Sequence, residues 1–332
     1  MTPSALRRPL RLMLLALAAS ACLSSPAASL SVGQIHFLGD SLSDCCVFGP
    51  SQQPGTPNWT RRLIDRLGAP AAGAAQRNLA AAGAMSNHDN VLPFLDELAG
   101  RPTGFLAQLD RLSAADPAPG ALDVAAIWIG TNDIQTSARG VEGATLSPAM
   151  RQPLGVQPDP AALVDWTMAN LSSGLERLGD LGFRRFLLLS PYDLSDAGLP
   201  EDASRPLAAA FSHGLREAMA AVAIPGARVA FLDMVALIDE LQAGAPANGF
   251  LHLSGDDPCG PDCADRPQAE QDGYIFYDSL HLTAATHDVV AARAARAMTD
   301  AFAPVPAPAA ALMLLAALTA LWGLRVPGRR RV

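Results

Sequence analysis

Apolar and polar residues follow one another along this chain in two rhythms. Short apolar runs at Ile35–Leu38, Val124–Ile129, Phe186–Leu189 and Arg228–Leu232, with another at about Arg77–Ala81, read as strands. Between them lie stretches whose apolar residues recur every three or four positions, as helices require. Trp59, Leu63, Ile64 and Leu67 form one such stripe, opened by Asn58 as a cap and closed by Gly68. Val164, Met168, Leu171, Leu175 and Leu178 form a second, with Gly182 beyond its end, and a last helix is predicted from about Thr283 to Met298. Strands alternating with helices predict an α/β domain whose sheet of about five parallel strands is covered on both faces. Sites in such sheets form where loops leave the carboxyl ends of the strands. Two stretches interrupt the rhythm, 135–160 and 243–272, and are predicted as long loops.

The ends of the chain follow other rules. Arg7, Arg8 and Arg11 precede an uncharged stretch from Leu12 to Ala21 and then small residues, so 1–28 reads as an export signal peptide with cleavage after Ala27. Ala19-Ser20-Ala21-Cys22 is a poor lipoprotein box. At the other end, Pro304-Val305-Pro306-Ala307-Pro308 leads into an uncharged stretch from Ala309 to Leu324 and closes on Arg329-Arg330-Arg331. That tail, 304–332, resembles a bacterial PEP-CTERM sorting signal, which implies processing by an exosortase; a simple transmembrane anchor is the alternative. The folded part is then one domain, 29–303, in an exported protein.

Removing the ends changes the charge picture. Seven of the 24 basic residues, all arginine, lie in them and no acid does, which leaves 17 against 32 acidic residues. So acidic a domain is a poor partner for nucleic acid. Of five cysteines, Cys22 falls in the leader, and an even four remain: Cys45, Cys46, Cys259 and Cys263. In an exported protein these suggest disulfides. Cys259 to Cys263 is the preferred pair, while a cross-link from the earlier two to the later two would staple distant segments. No histidine shares their spacing, which disfavours zinc.

Candidate chemistry starts at Gly39-Asp40-Ser41-Leu42-Ser43-Asp44, directly after the first predicted strand. A serine needs a base and something to orient that base before it becomes a nucleophile. Asp278-Ser279-Leu280-His281 supplies both within one turn: the Asp278 carboxylate can accept the His281 Nδ1 proton and leave Nε2 free for Ser41. Acyl transfer also needs donors for an oxyanion. Gly83, in Asn78-Leu79-Ala80-Ala81-Ala82-Gly83-Ala84, and Asn132, in Gly130-Thr131-Asn132-Asp133, stand at the ends of two further strands and qualify beside the Ser41 N–H. His88 and Asp89 are read as surface residues, His287 as a structural partner and Trp128 as core.

The four segments together resemble the GDSL esterase/lipase group, the SGNH hydrolases. Gly39-Asp40-Ser41-Leu42-Ser43 is similar to its nucleophile block, Gly83 to its glycine block, Gly130-x-Asn132-Asp133 to its asparagine block and Asp278-x-x-His281 to its acid and base block. The resemblance spans about 35–298. It implies a three-layer α/β/α flavodoxin-like fold, no metal or other cofactor, and hydrolysis of carboxylic esters on Ser41. Leu282 stands where the group has proline, and Cys45-Cys46 replace its usual Thr/Ser-Gly. Within the group the substrate is a small-molecule, glycan or lipid ester, so a carbohydrate O-deacetylase and a phospholipase are alternatives. A catalytically idle surface-binding protein is the reading from another class.

Overall fold

In a computed structural model of the chain, Ile35–Gly39 forms strand β1, all five residues of which are buried. The structure describes residues 30–49, 53, 55–68, 78–115, 118–138, 160–195 and 201–303. The expected export signal, Cys22 and the tail at 304–332 lie outside these residues, as does 139–159 within the predicted long loop. Among the described residues no helix is long and apolar enough to cross a membrane.

After β1 come helices α1 (Trp59–Leu67), α2 (Pro93–Ala99) and α3 (Phe105–Ala115), then β2 (Val124–Trp128), α4 (Thr131–Ala138) and α5 (Pro160–Asp180). They are followed by β3 (Arg185–Leu189), α6 (Glu201–Ala221), β4 (Arg228–Leu232), α7 (Met234–Ala243), α8 (Gln268–Gln271) and α9 (Ala284–Phe302). The strands lie in the order β1-β2-β3-β4 and every pair is parallel. From Asn78 onward, the described part of the fifth predicted strand runs as a short parallel segment beside β1. Asn78 pairs with Phe37, and the Leu79 and Ala81 N–H groups donate to the Phe37 and Gly39 carbonyls at 2.9 and 3.0 Å. It stops there because the Asn78 side chain turns back on its own strand to accept from the Ala80 N–H, and Gly83 begins a turn. Counting that segment, the order is 2-1-3-4-5, the flavodoxin-like arrangement.

Alternate strand residues serve the two faces. Leu38, Ala125, Ile127, Phe186 and Leu188 pack with Phe105 and Leu109 of α3, Leu171, Leu175 and Leu178 of α5, and Leu215 and Met219 of α6. The other face carries a relay of aromatic rings, edge-on in its first three pairs and tilted in the last. Phe37 meets Trp59 at 5.4 Å, Trp59 meets Trp128 at 5.8 Å, Trp128 meets Tyr192 at 6.4 Å, and Tyr192 meets Phe276 at 6.1 Å. Such pairs contribute about 0.5–1.5 kcal/mol each beyond their burial. They fix α1, β2, the loop after β3 and the segment at 276 to one another, directly below the carboxyl edge of the sheet. The Asn58 side chain caps α1 by accepting from the Thr60 N–H, and Gly68 closes that helix, as the sequence predicts.

Two disulfides are present. Cys259–Cys263 closes the small loop expected, while Cys45 pairs with its neighbour Cys46. No cross-link joins the early pair to the later one, because each pair satisfies itself.

Candidate active site

The turn that carries Ser41 follows from a close contact at its start. A side chain on Gly39 would meet the Trp128 carbonyl oxygen at 2.1 Å, so only glycine lets β1 end this near to β2. The chain then folds over Asp40, whose carbonyl accepts from the Ser43 and Asp44 N–H groups, both at 3.0 Å, while its Oδ1 accepts from the Leu42 N–H at 3.1 Å. Ser41 stands at the top of this turn. Gln108 of α3 holds the turn from beneath, its side chain accepting from the Gly39 N–H and donating to the Gly39 carbonyl.

Asp278 and His281 lie on a tight loop between Phe276 and Leu282, which pair antiparallel. Asp278 Oδ1 accepts from the Leu280 and His281 N–H groups at 2.7 and 2.5 Å, and Oδ2 lies 2.8 Å from His281 Nδ1. His281 Nε2 lies 3.0 Å from Ser41 Oγ. A serine, a histidine and a carboxylate thus form one unbroken line of hydrogen bonds, although 240 positions separate Ser41 from His281 in sequence. Burial pulls the Asp278 carboxyl upward, but the bonds from the His281 ring, its charge, and the two backbone N–H groups outweigh that and hold it below the usual carboxylate range. The loop has outside supports. Tyr192 donates its hydroxyl to the Leu280 carbonyl, and the Cys259 and Gly260 N–H groups of the disulfide loop donate to the Phe276 and Tyr277 carbonyls at 3.0 and 2.7 Å.

Gly83 and Asn132 are brought to the same edge through their neighbours; among the described residues neither makes a hydrogen bond to Ser41. Asp44, three residues past Ser41, accepts from the Ala82 N–H at 3.0 Å as well as from Cys46, Val47 and Phe48. Asn132 donates from Nδ2 to the Ala84 carbonyl at 2.9 Å, which uses one of its two amide protons. Gly83 has a φ of 74°, and a side chain there would meet Asn90 Oδ1 at 2.2 Å. The N–H groups of Ser41 and Gly83 donate to no other described residue, so both stay available to an incoming oxygen. That arrangement has the parts acyl transfer needs: a hydroxyl, a base oriented by an acid, and spare donors on adjoining loops.

Sequence reasoning missed the buried polar groups behind these residues. Asp40 and Asp133 are fully buried. Burial, and then the nearby Asp133, push the Asp40 carboxyl up to about 7 against the Leu42 and Thr131 donors. Burial also raises Asp133, whose bonds from Ser86 and Thr167 oppose the shift. Asp44, Asn90 and Tyr192 were equally unmarked, since the backbone groups they reach, among them the Ala82 N–H and the Ala82 and Leu280 carbonyls, leave no trace in sequence. His88 is exposed and lies 3.3 Å from Asp110, Trp128 is core, and His287 is fully buried within α9. Among the described residues no three His, Cys, Asp or Glu side chains converge on one point.

No functionally curated protein matches the chain. A crystal structure of the lipase/acylhydrolase from Enterococcus faecalis superposes on 83% of this chain and 100% of its own, at 15% identity and a TM-score of 0.41. The model for GDSL-like lipase/acylhydrolase matches residues 35–294, from the first residue of β1 to well within α9. Since that match takes in all four strands and every segment that meets at the Ser41 edge, this chain belongs to the GDSL-like lipase/acylhydrolase family of hydrolases.

Proposed function

We propose that the protein is an exported serine hydrolase that cleaves carboxylic esters through an acyl-enzyme on Ser41. The observation that carries this reading is the line from Ser41 Oγ through His281 to Asp278, with spacings of 3.0 and 2.8 Å. His281 takes the hydroxyl proton at Nε2 while Asp278 holds the proton on Nδ1 and stabilises the imidazolium that results. Ser41 Oγ attacks the ester carbonyl, and the negative oxygen is met by the Ser41 and Gly83 N–H groups and the free proton of the Asn132 amide. His281 then protonates the departing alcohol, and water repeats the cycle on the acyl-enzyme. The test is covalent labelling by a fluorophosphonate: Ser41→Ala is expected to abolish it with the fold intact, and labelling at the wild-type rate would refute the assignment.

Among the substrates that fit, one observation favours esters with an apolar acyl group. Helix α2 buries none of its residues. Leu92, Phe94 and Leu98 are 44, 58 and 73% exposed, and the chain enters α2 from Asn90 and Val91, which bond around Gly83. An apolar surface this close to the proposed oxyanion site suits an acyl chain better than an acetylated sugar. A series of p-nitrophenyl esters from acetate to palmitate separates the readings. Preference for longer chains that falls in Phe94→Ser supports the lipid ester, preference for acetate supports an O-deacetylase, and no turnover on any supports an idle binding protein. The sorting tail would set this chemistry at the cell surface, with an exosortase as processing partner.

A further inference from the structure

Two buried carboxylates that carry out none of the acyl-transfer steps both end on the turn that holds Gly83. The Ala84 N–H closes that turn by donating to the Ala81 carbonyl at 3.1 Å, and Gly83 occupies its positive-φ position. From the Ser41 segment, Asp44 receives four backbone N–H groups. Its Oδ1 accepts from Cys46 and Val47 at 2.8 and 2.9 Å, and its Oδ2 from Phe48 and Ala82 at 3.1 and 3.0 Å. From the Asn132 segment, Asp133 accepts from the Ser86 hydroxyl at 2.6 Å, the Ser86 N–H at 3.1 Å and the Thr167 hydroxyl at 3.3 Å. Neither carboxylate is exposed to solvent.

Each carboxylate thus ties one flank of the Gly83 turn to a segment that carries another proposed oxyanion donor. The chemistry of the two ties differs. All four partners of Asp44 are N–H groups, which can only donate, so an amide in its place, with one carbonyl oxygen and one NH2 group, cannot serve them all. Asp133 meets two hydroxyls, which accept as well as donate. An amide there keeps the tie, because its oxygen can take the Ser86 N–H while its NH2 group donates to a hydroxyl.

We propose that Asp44 and Asp133 are positioning residues that peg the Gly83 turn from both flanks and so set the Gly83 N–H against the Ser41 N–H and the Asn132 amide. Three donors on separate loops then meet one oxygen. The consequence for rate rests on the acyl-enzyme reading; the hold on the turn does not. Charge that develops on the carbonyl oxygen is stabilised by donors already in place, and a displacement of about 1 Å costs on the order of 10²-fold in rate. Binding of the uncharged ester asks little of the same donors, so the loss falls on kcat and not on KM.

Hydrogen exchange of the full chain, read by mass spectrometry over 78–92, tests the hold directly. Exchange there is expected to rise at least about tenfold in Asp44→Asn and in Asp133→Ala, and clearly less in Asp133→Asn. Kinetics at about pH 8, above the value of about 6 to which burial lifts the Asp133 carboxyl, test the consequence. On p-nitrophenyl butyrate, Asp44→Asn should lose on the order of 10- to 100-fold in kcat with KM within about twofold, and Asp133→Asn should keep at least about tenfold more kcat than Asp133→Ala. An oxygen ester paired with its thionoester separates positioning from general damage. Sulfur is larger and accepts hydrogen bonds weakly, so donors set for oxygen discriminate against it, and that discrimination should shrink in Asp44→Asn by about the factor lost in kcat. Equal loss on both esters would overturn the proposal, as would unchanged exchange in Asp44→Asn or equal kcat in the two Asp133 variants. Should Asp44→Asn fail to fold, the two Asp133 variants decide. A wild type inert toward esters and fluorophosphonate alike would sink the acyl-enzyme reading and leave hydrogen exchange to judge the two carboxylates.

Discussion

Replacing Asp278 by asparagine tests the proposed line of proton transfer most sharply, because the structure divides the work of its two oxygens. Oδ1 accepts from the Leu280 and His281 N–H groups, and an asparagine oxygen there keeps both bonds. Oδ2 accepts from His281 Nδ1, and the asparagine NH2 group cannot. To bond with it, the imidazole must place its lone pair on Nδ1 and its proton on Nε2, the nitrogen 3.0 Å from Ser41 Oγ. The base then faces its substrate proton with a proton of its own. An equivalent exchange in a serine triad lowers kcat about 10⁴-fold, or about 5.5 kcal/mol of barrier. Asp278→Asn is therefore expected to lose about four orders of magnitude in acylation, followed as the burst of p-nitrophenol under pre-steady-state conditions, with the melting temperature nearly unchanged. Asp278→Ala should lose as much activity and also melt lower, since it leaves two backbone donors of the loop without their acceptor, at about 1 kcal/mol or more each. If Asp278→Asn kept kcat within tenfold of the wild type, Asp278 would not be setting the tautomer and the proton relay as drawn would be wrong.

Three further outcomes follow from the loops around Ser41. Gly83→Ala forces a side chain onto a positive φ and against Asn90 Oδ1; it is expected to cost more than about 2 kcal/mol in urea unfolding and at least 10²-fold in kcat, and a stable, active variant would contradict the geometry. Asn132→Ala should lower kcat by about 10²–10³ with KM little changed, because the donor acts on the charged intermediate; a change confined to KM would assign it to substrate binding instead. Removing Cys259–Cys263 by paired serine substitutions opens a five-residue ring worth about 2 kcal/mol, and it should lower both melting temperature and kcat because that ring braces Phe276 and Tyr277 ahead of His281; an unchanged kcat would show that the hairpin holds itself.

The strands and the polar residues at their ends were legible because each leaves a local mark. A buried parallel strand is an unbroken apolar run, and Val124–Trp128 and the stretch from Phe186 to Leu189 stand out for that reason. Helices α1 and α5 announced themselves through stripes with a cap or a closing glycine. Helix α6 did not, since Pro206 and Gly214 interrupt it and packing against α5 overrides their poor propensity. Helix α2 was invisible for the opposite reason: none of its residues is buried, so its apolar positions follow no core. The pairing of Cys45 with Cys46 was one of the open connectivities, and spacing alone does not choose among them.

What remained hidden is the lacing between loops, and it explains how four short segments form one site. Each strand-end turn lends a side chain to the backbone of another. Asn78 donates to the Ser43 carbonyl, Asp44 accepts from Ala82, Asn90 donates to the Ala82 carbonyl, Asn132 donates to the Ala84 carbonyl, and Tyr192 donates to the Leu280 carbonyl. A buried side chain that bonds to backbone fixes position without supplying chemistry, and its partner carries no side-chain signature that a sequence could reveal. Ser41 and His281 are therefore recognisable as residue types, whereas the 3.0 Å between them is the product of groups that look ordinary in sequence. Effects of removing two such laces should not add, because the second substitution acts on a loop that the first has already released.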